Sequence, residues 1–259
     1  MRLCICFFSF ILFCGFSNPH LHFEVLKKSE KVFTERYSGE EFHLLSNSID
    51  STKSVFIAQV KLKGEDITIF DLYARLRDES QILGANSFQI INKSKGGDNY
   101  YLLCTVFLTD TGTLKALKKN DPDNGNVFII SPEPVGYLNK DRVRINESLT
   151  FKIISGTYWS MPIKETREDL RIRSKKINCK VSVSNHEVKY FATRFHNPRN
   201  RPVAKKYPDI DPTNGGVTVR VPLNTTELRG KGKLKNDDGS LEAALGKMML
   251  QFCKSVAVK

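Results

Sequence analysis

Apolar positions along this chain follow three rhythms, and each predicts a different kind of element. The first is an almost unbroken run from Leu3 to Phe13. The second is a dense β-branched and apolar stretch, Val55 to Leu62, which reads as a strand. The third is a three- and four-residue recurrence of Ile69, Leu72, Tyr73, Leu76, Ser80 and Leu83, one stripe of an amphipathic helix. Thr68 stands where that helix needs an N-cap, and Asp71 completes a short capping box. Gly84 stands where a left-handed stop is wanted. A strand follows at Ser87 to Asn92. Lys93 to Asn99, with Gly96-Gly97, then turns the chain into a strand at Tyr100 to Thr109. The order strand, helix, strand, hairpin, strand predicts a small α/β sandwich over residues 42–110, preceded by an N-terminal segment over 18–41.

Residues 111–126 are polar, contain Asp121-Pro122-Asp123-Asn124-Gly125, and read as a linker. The acidic run lacks calcium-loop spacing, since glycine falls at position 5 and Pro132 stands at position 12. Beyond it, strands are expected at Val127 to Ile130, Arg142 to Ile145, Leu149 to Ser155, Ile177 to Ser184 and Val188 to Arg194. Together they predict an antiparallel β-rich domain over 127–196. Trp159, the one tryptophan, has two readings, core packing and ligand stacking. Residues 197–239 are rich in Pro and Gly and read as irregular, with Val217 to Val221 as one strand. Ser240 is expected to cap a last helix over 240–259, whose Leu241, Ala244, Leu245, Met248, Met249 and Phe252 dock on the protein's own core. The fold class expected is α+β, a small α/β sandwich domain followed by an antiparallel β-rich domain and a C-terminal helix.

The stretch Leu76-Arg77-Asp78-Glu79-Ser80-Gln81-Ile82-Leu83-Gly84-Ala85-Asn86-Ser87-Phe88 resembles the helix-to-strand junction of small bacterial envelope domains of the YbjQ and RcsF type. The likeness covers residues 50–110. Its physical content is a glycine at the helix stop, an alanine at a close helix–sheet approach and an asparagine entering the strand. The resemblance implies a small α/β fold and an envelope address.

The apolar run at the start, with Arg2 before it and Gly15-Phe16-Ser17 after it, has the anatomy of a signal peptide over residues 1–17, cleaved between Ser17 and Asn18. It is shorter than the roughly 20 apolar residues of a spanning helix. Export to the periplasm or the exterior is the address this predicts. Lipid anchoring at Cys14 is disfavoured because bulky Phe13 precedes it. Cys104, Cys179 and Cys253 are then left, an odd number that allows one bridge with a spare thiol or three free thiols.

Charge sharpens the division of the chain. Residues 18–110 hold 11 Lys and Arg against 13 Asp and Glu, whereas residues 111–259 hold 28 against 15. A basic half in an exported protein points to an anionic partner, a membrane or glycan surface, or to an envelope protein. Within it, Tyr190 to Arg201 interleaves aromatics with arginines, and the expected anionic-surface residues are Arg194, Arg199, Arg201, Lys205 and Lys206. The same mixture suits nucleic acid, but no named nucleic-acid motif is present and an exported address argues against it. No Gly-x-Ser-x-Gly, His-Glu-x-x-His or dinucleotide fingerprint occurs, and no cofactor or metal set is read. Gly230-Lys231-Gly232-Lys233 lacks phosphate-loop spacing, and Pro19 blocks copper binding by an N-terminus with His20 third. The reading is a non-catalytic interaction protein. Its competitor is a secreted, hydrolase-like enzyme with a site built from His186, His196, Asp209 and Asp211.

Overall fold

A computed structural model describes residues 20–30, 41–45, 53–65, 67–96, 99–132, 140–174, 177–193 and 234–256. The expected leader with Cys14, the strand expected at Val217 to Val221 and the glycine-lysine run at 230–233 lie outside the described residues. The protein belongs to the α+β class.

The first sheet forms from β1 (His20–Lys28), β2 (His43–Leu44), β3 (Ser54–Glu65), β4 (Ser87–Gly96) and β5 (Asn99–Thr109), in the order β1-β3-β5-β4-β2. Helix α1 (Ile69–Ile82) covers one face, burying Leu72, Tyr73 and Leu76 against Val60, Leu62, Leu102, Cys104 and Val106. Its N-terminus is held as the sequence predicts. The Thr68 backbone N–H donates to Asp71 Oδ2 at 2.8 Å, and the Asp71 N–H donates back to Thr68 Oγ1 at 3.3 Å. Gly84 has φ of 93°, the left-handed value expected after a helix. Strand β1 occupies part of what reads as a plain N-terminal segment and pairs antiparallel with β3. The alternation of Leu21, Phe23 and Val25 with polar neighbours is its period-2 signal.

The polar stretch expected to be a linker contains helix α2 (Thr111–Lys119), capped by the Asp110 carboxylate, which accepts from the Thr113 N–H at 2.9 Å. One apolar residue, Leu114, is buried along it, too few for a periodic signal. The chain then builds two further sheets. The middle one combines β6 (Asn126–Ser131), β9 (Thr157–Pro162), β12 (Lys189–Ala192) and β13 (Lys254–Ser255), ordered β12-β6-β9-β13. The outer one combines β7 (Lys140–Ile145), β8 (Leu149–Ile154), β10 (Arg167–Arg173) and β11 (Asn178–Ser184), ordered β11-β10-β7-β8. Strands β9 and β10 are additions to the sequence reading. The outer sheet is antiparallel throughout, as expected. In the middle sheet, β12 runs parallel to β6 and β13 parallel to β9, because their chains arrive from other parts of the fold. Trp159 on β9 is buried with its ring centroid 4.5 Å from that of Phe151, so packing is its role.

The middle sheet is apolar on both faces. Val127, Ile129 and Phe191 point to a core shared with the outer sheet. Phe128, Ile130, Tyr190 and Ala192 point the other way, into one continuous cluster with the first sheet, α1 and the last helix, α3 (Ala243–Phe252). Helix α3 starts two residues later than expected, with Glu242 at the N-cap position. Ser240 instead closes a turn, donating from its backbone N–H and its hydroxyl to Asp238 Oδ1 at 2.9 and 2.6 Å. The expected docking of this helix on the core is seen: Leu241, Ala244, Leu245, Met248 and Met249 are buried.

Gly246 sets how closely α3 approaches the middle sheet. A Cβ there would fall 2.2 Å from Tyr190 Cγ. That ring has no free direction to swing, because it stacks on Phe128 at 5.2 Å and its hydroxyl donates to Asp123 Oδ2 at 3.1 Å. Gly246→Ala is therefore expected to destabilise the protein by about 1–3 kcal/mol, the usual cost of overpacking. A denaturant titration reads this as a lower midpoint at unchanged slope. An unchanged midpoint would show that helix and ring separate without cost.

Candidate anion-binding face

The solvent side of the outer sheet carries a concentration of positive charge that follows from its register. Alternate residues face the core, Val143 and Ile145 on β7, Phe151 and Ile153 on β8, Leu170 and Ile172 on β10, Val181 and Val183 on β11. The residues between them point outward. They include Arg142 and Arg144, Lys152, Arg171 and Arg173, and Lys180. Pairing sets Lys180 opposite Arg171, Arg173 opposite Arg144, and Arg142 opposite Lys152. Three directly opposed pairs are thus like-charged, an arrangement that destabilises a sheet by itself.

The carboxylate that meets this band is Glu147, in the turn between β7 and β8. Its Oε1 lies 3.3 Å from Arg173 Nη1 and 3.9 Å from Arg171 Nη1. Glu147 and Asn146 both have positive φ, 62° and 49°, a conformation that side-chain-bearing residues adopt at a cost. Asn146 fixes the turn to β10, since its N–H donates to the Arg171 carbonyl at 3.0 Å and its Oδ1 accepts from the Arg171 N–H at 2.7 Å. Arg171 Nε is buried with no hydrogen-bond partner. Guanidinium groups held this way offer planar, paired donors to carboxylate, sulfate or phosphate oxygens.

None of these residues belongs to the set picked from the sequence. Arg194, Arg199, Arg201, Lys205 and Lys206 lie outside the described residues. The signal for the observed face is a period-2 recurrence of charge, Arg142-x-Arg144 and Arg167-x-Asp169-x-Arg171-x-Arg173, alternating with buried Val, Leu and Ile. It becomes a site only once β10 is recognised and registered against its neighbours.

A concave region lies where β2, α2 and the start of α3 converge. This cleft, of about 310 Å³, is lined by Phe42, His43, Leu114, Lys118, Glu242 and Lys247 among others. Its charges are largely matched within the protein. His43 Nε2 is 3.3 Å from Glu41, Lys247 pairs with Asp121, and Lys118 lies 3.7 Å from Glu41. At its floor, Glu242 accepts from the Tyr73 hydroxyl at 2.5 Å and from Arg77 Nη1 at 3.1 Å, while Arg77 Nε donates to Asp78 at 3.2 Å. Burial pushes the Glu242 carboxyl above the usual carboxylate range, against the opposing pull of Arg77. For Arg77 the balance falls the other way: its carboxylate partners outweigh its burial and hold it charged. This network joins α1 to α3 and is built to hold them.

His186 is exposed beside this cleft, while His196, Asp209 and Asp211 lie outside the described residues. Among the described residues no group of His, Cys, Asp and Glu is placed to hold a metal ion. Cys104, Cys179 and Cys253 are free thiols, and burial raises the pKa of each, Cys253 to about 11, away from the thiolate a nucleophile needs.

Two outcomes test the cleft's role as a structural joint. Arg77→Ala leaves the buried Glu242 and Asp78 carboxylates without their cation and is expected to cost about 3–5 kcal/mol. A loss under 1 kcal/mol in denaturant unfolding would show that the pair is dispensable. Burial, with help from the positive charges of Lys118 and Lys247 and against Glu41, lowers the pKa of His43. Its folded value lies below the ordinary 6.5, so the unfolded chain takes up the proton first as pH falls. The stability it confers is complete above that ordinary value and declines as pH drops through it towards the folded value. Unfolding midpoints measured at pH 7.5 and 5.5 should differ less in His43→Asn than in the unsubstituted protein.

No protein-family model, no curated protein and no solved structure matches this chain. Its work has to be read from its own geometry.

Proposed function

We propose that this protein is an exported, non-catalytic binding protein of the cell envelope that attaches to an anionic surface. The observation that carries the reading is the set of three like-charged cross-strand pairs on one solvent-facing sheet. Opposed cations weaken a sheet by themselves, and a bound anion offsets that cost by neutralising both members of a pair. The basic balance of residues 111–259, the leader-like start and the likeness of residues 50–110 to small envelope domains support the same reading. An envelope protein partner with an acidic face would use the same chemistry.

Adsorption to an anionic matrix, followed through a salt series, tests it. Retention is expected to fall steeply between low and physiological ionic strength, because exposed charges are screened within about 8–10 Å. The double substitution Arg144→Gln/Arg173→Gln removes the central pair and is expected to weaken binding about tenfold, a change of about 1.4 kcal/mol. Neutralising Arg194, Arg199 and Arg201 tests the sequence-predicted segment separately, with weaker adsorption expected. Binding indifferent to salt, or unchanged when the central pair is removed, would rule the reading out.

A further inference from the structure

We infer that the occupant of the basic face is an extended acidic polysaccharide laid diagonally across the four strands of the outer sheet. This rests on the anionic-binding reading above and concerns which anion is bound. The three pairs are not stacked in one column. Lys180 and Arg171 bridge β11 and β10, Arg173 and Arg144 bridge β10 and β7, and Arg142 and Lys152 bridge β7 and β8. Each pair is one strand over and two residues along from the last. With strands about 4.8 Å apart and a rise of about 3.4 Å per residue, successive pairs are about 8 Å apart. The line from Lys180 to Lys152 is about 20 Å long.

Most of the outward positions beside this line carry no cation. Asn178 faces outward on one side, Asp169, Ser182 and Thr150 on the other; exposed Ile154 lies beyond Lys152, and Arg167, further along β10, and Lys140, in register with Ile154, stand past the ends of the line. A flat anionic bilayer would reward cations across the whole sheet, whereas a linear polymer rewards them chiefly along its path. Membrane-surface elements also carry a face of apolar and aromatic groups to bury, and the six residues of the line have none. Nucleic acids fit less well for three reasons. Single strands are gripped by stacking on aromatic rings, absent from this line. Outer strands about 14 Å apart, with their side chains, are broader than a major groove of about 12 Å. A duplex presents a phosphate every ~3.4 Å along each strand, more than twice as densely as the pairs are spaced. Carboxylate or sulfate groups carried at intervals on a sugar chain suit the spacing, and four arginines among the six cations suit the oxygens.

The test uses the intact protein at fixed, near-physiological salt, with four probes matched in total charge. These are short heparin fragments, heparin fragments longer than 20 Å, vesicles of phosphatidylglycerol in phosphatidylcholine, and a short DNA duplex. Affinity is expected to rise with fragment length up to the ~20 Å of the line and then to level off. The long fragments should bind at least tenfold more tightly than vesicles or duplex. Arg144→Gln/Arg173→Gln should lose at least tenfold for the long fragment, with its unfolding midpoint checked to show that it is folded. Lys115→Gln/Lys119→Gln, which removes the same charge from exposed α2, should stay within twofold. Equal binding to vesicles or duplex, or equal losses from the two double variants, would overturn the polysaccharide while leaving anionic binding in place. Failure to bind any of the four probes would remove the anionic reading itself.

Discussion

Strand β6 has to satisfy two cores at once, and the rest of the architecture follows from that. Its side chains alternate between them, Val127 and Ile129 to the outer sheet, Phe128 and Ile130 to the side of α1 and α3. A strand wet on one face would show apolar residues at every second position. This one is a continuous apolar run, as expected when both faces are dry. With β6 so committed, neither face of the middle sheet can be open to water along that strand. Helix α3 and the first sheet must cover one side and the outer sheet the other. On that side of the fold, the solvent-facing surface is then the far side of the outer sheet, where the cations stand.

The joint between α1 and α3 is of a different kind. It is ionic and buried, with Glu242 taking hydrogen bonds from Tyr73 and Arg77. Desolvating such a pair consumes most of what its attraction returns, so its worth lies less in net stability than in specifying one arrangement. A hydrophobic patch would let α3 slide or rotate along the cluster. A carboxylate that must meet both a guanidinium and a phenol fixes the helix in register. Tight contact between Gly246 and the Tyr190 ring then becomes tolerable a turn further on.

Much of the first half was legible in the sequence because its signals are local. A capped helix with a clean stripe, a left-handed glycine and a hairpin each depend on neighbours within a few residues. Strand β1 was legible too, in the alternation of Leu21, Phe23 and Val25, but only for a reader expecting an edge strand there. The second half was harder because its decisive facts are long-range. That β12 joins β6 in parallel, and that Lys254 and Ser255 join β9, are set by tertiary packing and leave no mark on local spacing. The basic face shows the same limit. Net charge revealed that the second half is basic, but composition drew attention to the dense arginines of 194–206, not to cations separated by buried residues. Only strand register places Arg144 against Arg173, twenty-nine positions apart in the chain.

The closure of the first cluster by α3 has a consequence for how the chain comes to be folded. The first sheet, α1 and three of the four strands of the middle sheet are all in place by residue 192, yet the apolar surface between them is sealed by Leu241, Ala244, Leu245, Met248 and Met249. During synthesis that surface stays open until residue 252 or so has left the ribosome. Every residue from the first sheet to α3 is therefore made before this core can shut, and contacts between such distant parts of the chain make the final docking slow. Newly made chains would spend that interval with an apolar cleft uncovered, which is when a holding chaperone finds them most accessible.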